Sequence, residues 1–513
     1  MKANIEKQTS WAVIIIALFN IAFHLAVAGN LEYHRDELLY FSLGMHPAAG
    51  YATVPPLIGL VAWFVQNIFG YSIYAVRIIP AITSGIMIII VARIARELGG
   101  SRYSELLAAI GFTISGFGLR TYGLYMPVFF DILFWSLCIL WLIRYINTED
   151  DKYLLLFGIT AGFALLNKYL IGIMFAGLLI IIPFTVYRSL FRKRMFWVGI
   201  LAAFIIFLPN LLWQINRGLP VFNHMSELNR TQLVHVDRVT FLKEQIMNPA
   251  WASVLTVEGI IFLLIGKRAP KFRFLGFLVL FVILSLLILR GKSYYTQGVW
   301  PFLIAAGAAS FDLRLKTKFL KYLIPIMIVL LTVPLIPIAI PVYKSEGLVK
   351  YFSTIEKKYG LVIGRTFEDN SVHSLPQDYA DMLGWEQLTR IADSAWGMID
   401  DKKAAFIYCE NYGQAGAITV IGEKYGLPEA VCFSESFRYW YPKQFEPDIT
   451  SIVYINDKEP GADVKFLFRK VTKIGSITNR DAREYGTSVY LGQEPIDSFN
   501  KFWKIRTKDL PWR

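Results

Sequence analysis

Apolar residues in this chain gather into long runs, and the short polar segments between them hold clusters of basic residues. Runs of bilayer length lie near residues 11–29, 75–95, 104–119, 128–146, 153–166, 169–187, 196–213, 250–266, 273–290, 299–311 and 322–342. They predict about eleven transmembrane helices. Basic loops stay cytoplasmic, so Arg93/Arg96/Arg102, Arg188/Arg192/Lys193/Arg194, Lys267/Arg268/Lys271/Arg273 and Arg314/Lys316/Lys318/Lys321 should share one face. They do so if the N-terminus is inside and residues 153–187 form two spans. A single helix there would throw the Arg192–Arg194 cluster, and those after it, to the outer side. The break therefore falls at Asn167-Lys168 and faces outward.

The loop of roughly 45 residues between the first two runs is too apolar for a plain linker. His34 to His46 places Leu38, Phe41 and Met45 on one helical face, and Pro55-Pro56 opens a second apolar stretch through Phe69. Both predict helices lying in the membrane interface. Beyond Pro341 the pattern changes, and residues 345–513 carry mixed charge without further spans. Strands are predicted at 404–409, 430–433, 451–455, 464–468 and 488–491, with a helix at 413–425. The predicted fold is an α-helical polytopic membrane protein over residues 1–344, followed by a C-terminal α/β domain over 345–513 on the outer face.

Composition supports the membrane assignment: of 513 residues, 55% are hydrophobic, 15% aromatic and only 18% charged, with mean hydropathy +0.45. The formal charge of +13 is dispersed among the loops, a topological pattern and not a nucleic-acid-binding patch. Three cysteines exclude a disulfide framework; Cys138 lies within an apolar run, and Cys409 and Cys432 can pair if their region is exported. Lys2 and Lys7, the run from Trp11 and Ala26-Val27-Ala28 also fit a cleavable signal peptide. The run is long enough to span, so an uncleaved helix is expected, and Asp36 is outside either way.

The polar residues in or beside spans fall on the outer side: Asp36 and Glu37; Arg120, Tyr122 and Tyr125 with Asp131; Lys168; Trp213, Gln214 and His224; Arg290, Lys292, Tyr294 and Tyr295. Nucleotide sugars are cytoplasmic, and the chain has no GxxxxGK-type phosphate loop. An outward site needs a substrate delivered by the membrane, and a lipid-linked phosphosugar fits. Lys168 with Arg290 or Lys292, and Arg120 as a third cation, would hold the phosphate while a carboxylate takes the acceptor proton. Asp36 is the best base, because a helix starting at or just before it favours the ionised form. Aromatics at the mouth, including Tyr51, Tyr122 and Tyr295, would stack on sugar or hold prenyl groups.

Each residue also has a plainer reading. Asp36 with Arg35 would be an interfacial ion pair, and Asp131 after Met126-Pro127 a helix cap. Lys168 would snorkel to the headgroups, and Lys292 with Tyr295 would anchor at the interface. His34, His46, His224 and His235 lack HxxxH-type spacing and read as surface histidines.

Tyr33 to Tyr40, Gly50 to Leu57 and Tyr74 to Arg77 resemble the first external loop of the family 39 glycosyltransferases. These are the dolichyl-phosphate-mannose protein mannosyltransferase-like and aminoarabinose transferase-like enzymes of the GT-C fold. Met126 to Asp131 is similar to the family's second acidic motif and Arg290 to Tyr295 to its Lys-x-x-Tyr loop, while Tyr408 to Ile418 resembles the soluble domain of a bacterial branch. The resemblance implies an inner-membrane inverting transferase moving a sugar from a polyprenyl-phosphate donor to a lipid, glycan or protein acceptor. It maps the base onto Asp36, with Glu37 beside it. Together with the outward polar residues above, the expected site has Asp36, Glu37 and Asp131 as catalytic residues, Lys168, Arg290, Lys292 and Tyr295 at the donor phosphate, and Tyr33, Arg35, Tyr51, Tyr122, Tyr125, His224 and Tyr294 lining the substrate. The family varies in its use of a divalent metal, which stays open, and no other cofactor is implied. A transporter or flippase is the rival reading, but only one broken helix, near Lys168, is visible where paired halves are expected. A noncatalytic sensor would not need carboxylates and cations on one face.

Overall fold

The structure is a computed structural model that describes residues 9–267, 269–367, 371–459 and 467–508. Lys2, Lys7, Arg268 and most of the strand predicted at 464–468 lie outside the described residues. Every predicted apolar run meets a helix: α1 (Trp11–Val27), α4 (Ile73–Glu97), α5 (Arg102–Thr113) with α6 (Gly116–Thr121), α7 (Pro127–Thr148), α8 (Lys152–Asn167), α9 (Gly172–Ile181), α10 (Arg194–Asn216), α13 (Ser253–Ile265), α14 (Arg273–Ile288), α15 (Trp300–Arg314) and α16 (Lys318–Thr332). The remaining helices up to this point are α2 (Arg35–Ser42) and α3 (Leu57–Phe69) in the first loop, and α11 (Pro220–Thr231) and α12 (Arg238–Met247) beyond α10. Five helices among the described residues are long and apolar enough to cross a bilayer, or seven if two sharply bent pairs each count as one span. The expected eleven crossings thus rest in part on short and broken helices. Asn167-Lys168 is such a break: α8 ends there, and Lys168 is extended.

The basic loops come together at one end of the bundle. Arg144 pairs with Glu97 at 3.0 Å, Lys271 donates to Asn147 at 2.6 Å, Lys321 pairs with Asp312 at 2.7 Å, and Asp312 accepts the Ser101 N–H. The predicted interfacial helices lie toward the other end. On α3, Ile58, Ala62 and Val65 are buried while Leu60, Trp63, Phe64 and Ile68 are exposed, so the helix has apolar surface on both sides. That suits a helix bedded in the interface.

After the spans come α17 (Ile336–Ala339), α18 (Ser345–Tyr359), α19 (Gln377–Ala380) and α20 (Trp385–Gly397), then a four-stranded sheet. Its strands are β1 (Ala405–Cys409), β2 (Ser451–Asn456), β3 (Phe468–Ser476) and β4 (Ser488–Pro495), in the order β1-β2-β4-β3, with β1 and β2 parallel and the other pairs antiparallel. The predicted helix 413–425 is a run of mixed helical turns beginning with α21 (Tyr412–Gly416). The strand expected at 430–433 shrinks to one bridge, Val431 to Tyr408, because the chain turns into Ser434-Glu435 directly afterwards. Cys409 and Cys432 are both buried free thiols.

Candidate functional site

The acidic pair opens α2, and the cap decides what each carboxylate does. His34 is the N-cap: its Nδ1 accepts the Asp36 N–H at 3.0 Å, and Glu37 reaches back to accept the His34 N–H at 2.9 Å. Glu37 is wholly buried, and Arg77 of α4 grips it from Nε at 3.1 Å and Nη2 at 2.6 Å, with the Tyr125 N–H adding a bond at 2.9 Å. Burial alone would raise its pKa, but Arg77 and these N–H donors together hold it below the ordinary Glu value. Arg77 also donates to the Glu32 carbonyl at 2.9 Å and to that of Ala28. With its oxygens engaged on four donors, Glu37 is a buttress that locks α2 to α4, a different role from the catalytic one expected. Asp36, one residue earlier and part-exposed, points to the C-terminal region, where Tyr412 donates its hydroxyl to Oδ1 at 2.9 Å.

The plain ion-pair reading of Arg35 with Asp36 does not hold. The Arg35 guanidinium lies 4.3 Å over the Tyr412 ring. Gly413 and Gly416 let α21 come this close, since a Cβ on Gly413 would sit 2.8 Å from Arg35 Cγ and one on Gly416 would sit 2.8 Å from Leu38 Cβ. Gly413→Val should therefore push the C-terminal region off α2, seen as a lower melting temperature and faster proteolysis between the spans and the sheet. The same interface carries His46 Nε2 at 2.5 Å from Glu429, with the His46 ring stacked on Trp440.

The cationic side is built from the α8 break and the loop before α15. Asn167 donates to the Pro127 carbonyl at 3.0 Å, which fixes the helix end. Lys168 then points its ammonium over the rings of Tyr295 and Tyr294, 4.9 Å and 5.4 Å from their centroids, within the fields of Asp131 and Lys292. Asp131 is buried inside α7 and accepts the Trp135 indole N–H at 3.2 Å. It is not the cap, a position taken by Met126. Tyr294 keeps 38% of its surface accessible although burial, ahead of neighbouring Tyr295 and Asp36, raises its pKa well above the ordinary value. Tyr294 thus stands between Lys168, whose ammonium is 5.4 Å from its ring, and Asp36, whose field it feels, and the surface these groups share is the candidate recess. Tyr40 lies in the fields of Asp36, Glu435, Tyr412 and Tyr294, so these groups converge.

Several expected residues face elsewhere. Arg290 is exposed and donates to the Val234 carbonyl at 2.9 Å, its backbone in the left-handed region at φ 54°. Arg120 is ion-paired with Asp378. Tyr33, Tyr51, Tyr122 and Tyr125 are all core residues, and Tyr33 borders a different cavity, beside Glu32, Lys344 and Glu386; the Tyr125 hydroxyl donates to the Ile58 carbonyl at 2.6 Å, and that of Tyr51 faces the Leu43 and His46 carbonyls. His224, on α11, is half-buried in the fields of Glu227 and Arg438, and burial lowers its pKa. No group of three or more His, Cys, Asp or Glu suited to a metal occurs among the described residues.

Two residues of the recess escaped the sequence reading as site residues, Tyr412 and Glu435. Glu435 adopts a left-handed backbone, φ 50°, a conformation that costs a non-glycine residue about 1–2 kcal/mol. Its carboxyl accepts the Thr53 hydroxyl at 2.5 Å. Burial raises its pKa, Thr53 and Arg438 oppose that, and Asp36 and Glu227 add to it. The Asn411 cap before Tyr412 was visible locally; which loop it would meet was not.

Residues 53–213 match the family described as dolichyl-phosphate-mannose-protein mannosyltransferase. The chain is 24% identical over 262 residues to undecaprenyl phosphate-alpha-4-amino-4-deoxy-L-arabinose arabinosyl transferase 1 of Sodalis glossinidius (strain morsitans), a match that covers 47% of this chain and 45% of that protein. It spans less than half the relative's length. In fold, the chain is similar to ArnT from Cupriavidus metallidurans bound to undecaprenyl phosphate, with TM-score 0.60, 13% identity and coverage of 93% of this chain and 97% of that one. The apo state of the same protein matches equally well. The resemblance carried by the loop motifs thus meets a partial sequence likeness to these transferases and the fold of the ArnT structure.

Proposed function

We propose that the protein is a glycosyltransferase of the inner membrane that moves a sugar from a polyprenyl-phosphate donor to an acceptor hydroxyl or phosphate at the outer face. The observation that carries this reading is the meeting of a carboxylate and cations at Tyr294: Lys168 lies 5.4 Å from its ring, with Lys292 in the field of Lys168, and Asp36 acts on the same tyrosine. Asp36 takes the acceptor proton as the acceptor oxygen bonds to the anomeric carbon. The bond from that carbon to the phosphate oxygen breaks, and polyprenyl phosphate leaves with its charge held by Lys168 and Lys292. Attack from the face opposite the phosphate inverts the anomeric centre. Positioning and charge stabilisation are the protein's main contributions, because phosphate is already a good leaving group.

Orientation follows from the basic loops. Their gathering at the bundle end away from Asp36 supports a cytoplasmic N-terminus and an extracytoplasmic recess, with residues 345–513 as an outer domain over the transmembrane part, 1–344. The named ligand of the ArnT structure supports a polyprenyl-phosphate donor.

The test is binding of undecaprenyl phosphate to the full chain in nanodiscs. Charge-assisted hydrogen bonds contribute about 1.5–3 kcal/mol, so Lys168→Met and Lys292→Met should each weaken affinity by about ten- to a hundredfold. Arg290→Met, whose guanidinium is turned to Val234, should stay within about twofold. Unchanged affinity in both lysine variants would overturn the donor-site assignment.

A further inference from the structure

The transferase reading leaves the acceptor side of the recess undefined, and the residues there come from the C-terminal region. Tyr412 donates to Asp36 at 2.9 Å, and its ring is clamped by Arg35 at 4.3 Å. The turn from Ser434 to Tyr439 is tied to the first loop by two bonds: Ala52 N–H to the Ser436 hydroxyl at 3.1 Å, and the Thr53 hydroxyl to the Glu435 carboxyl at 2.5 Å. Arg438 donates its Nε to the Glu435 carbonyl at 2.9 Å, which closes the turn and holds Glu435 in its left-handed conformation. A non-glycine residue kept in that conformation at a recess is one the local structure over-determines.

We propose that the C-terminal region completes the acceptor subsite, with Glu435 receiving hydroxyls of a neutral, polyhydroxylated acceptor and Tyr412 holding the Asp36 carboxylate in line for proton transfer. The inference rests on the transferase reading. Its chemical content is the pairing of two carboxyls, Asp36 and Glu435, on one side of the recess. A carboxyl accepts hydrogen bonds from hydroxyls in either protonation state, and the Asp36 carboxylate beside Glu435 disfavours a phosphorylated acceptor. Lys168, which would welcome phosphate, is held over the Tyr294 and Tyr295 rings with Lys292 in its field, whereas the Glu435 carboxyl is held by the Thr53 hydroxyl of the first loop. Glu435 is thereby a specificity residue and Tyr412 a positioning residue.

The experiment uses the full chain in nanodiscs with a polyprenyl-phosphate sugar as donor, and octyl glucoside or octyl phosphate as acceptor probe. Wild type should transfer to octyl glucoside in preference to octyl phosphate. Glu435→Gln, which keeps the shape and the bond from Thr53, should raise the KM for octyl glucoside at least fivefold, and Glu435→Ala at least tenfold, with undecaprenyl phosphate affinity within twofold of wild type. Tyr412→Phe should lower kcat about tenfold with little change in KM. Wild-type KM in both Glu435 variants, or a preference for octyl phosphate, would overturn the inference while leaving the transferase intact. A wild type that consumes no donor with either probe overturns the transferase reading and this inference together.

Discussion

Asp36→Asn should cut sugar transfer by about a hundred- to ten-thousandfold, the range expected when a general base is lost. The protein should remain folded and membrane-inserted. The amide is close in shape to the carboxylate, and its oxygen still accepts the Tyr412 hydroxyl that now meets Asp36 at 2.9 Å. The side chain is also part-exposed, so no buried charge is left behind. Donor binding should persist, because Lys168 and Lys292 are untouched. The decisive measurement is single-turnover transfer with saturating donor, alongside the melting temperature of each protein. Full retained activity would remove Asp36 as the base, and a collapsed melting temperature would show that the loss was structural.

Its neighbour is expected to behave in the opposite way. Glu37→Gln should destabilise the protein by about 3–5 kcal/mol, because it strips the counter-charge from Arg77, itself buried, and leaves a guanidinium with nowhere to go. Arg77→Met should do the same from the other side. The pH dependence follows from the depressed pKa of Glu37. A carboxyl whose folded-state pKa is lowered contributes fully above its ordinary value of 4.5, and that contribution is lost as pH falls through the lower folded-state value. The gap in melting temperature between wild type and Glu37→Gln should therefore be wide at neutral pH and close as the pH falls below the ordinary Glu value of 4.5 and through the lower folded-state one. A gap that is small at pH 7, or independent of pH, would show that the pair contributes little. Residual activity in whatever Glu37→Gln protein folds would separate the buttress role from a catalytic one, since a base would be lost outright.

Much of this architecture was readable from local pattern. The apolar runs, the two loop helices and the broken α8 depend on hydrophobic periodicity and helix stop signals, which neighbouring residues set. The grouping of the basic loops was legible from local charge as well: residues from several of them meet at one end of the bundle, as their shared sign required. Reading Asp36 near a helix start was equally local, and α2 begins at Arg35 with His34 as its cap. Errors arose where a residue's partner is distant in sequence. Tyr122 and Tyr125 are polar-capable aromatics at a helix end, but they turn into the core, Tyr125 against α2, α3 and α7 and Tyr122 against Phe112 of α5. Arg290 sits in a motif rich in cations, yet its left-handed backbone swings it toward Val234, 56 residues away, and out of the recess. The strand at 430–433 had the right composition but no room to continue past one bridge.

Local sequence pattern sufficed for a helical protein with several helices long and apolar enough to cross a bilayer, helices in the loop after the first of the apolar runs, a sheet-bearing C-terminal region, and a carboxylate at the start of a helix, because these follow from side chains within a few turns of one another. Tertiary structure alone decided how the adjacent acids divide their work. Arg77 lies 40 residues from Glu37 and Tyr412 lies 376 residues from Asp36. A helix turns 100° per residue, so neighbouring side chains face different surroundings, and which surroundings those are is fixed only when α4 and the C-terminal region close on α2.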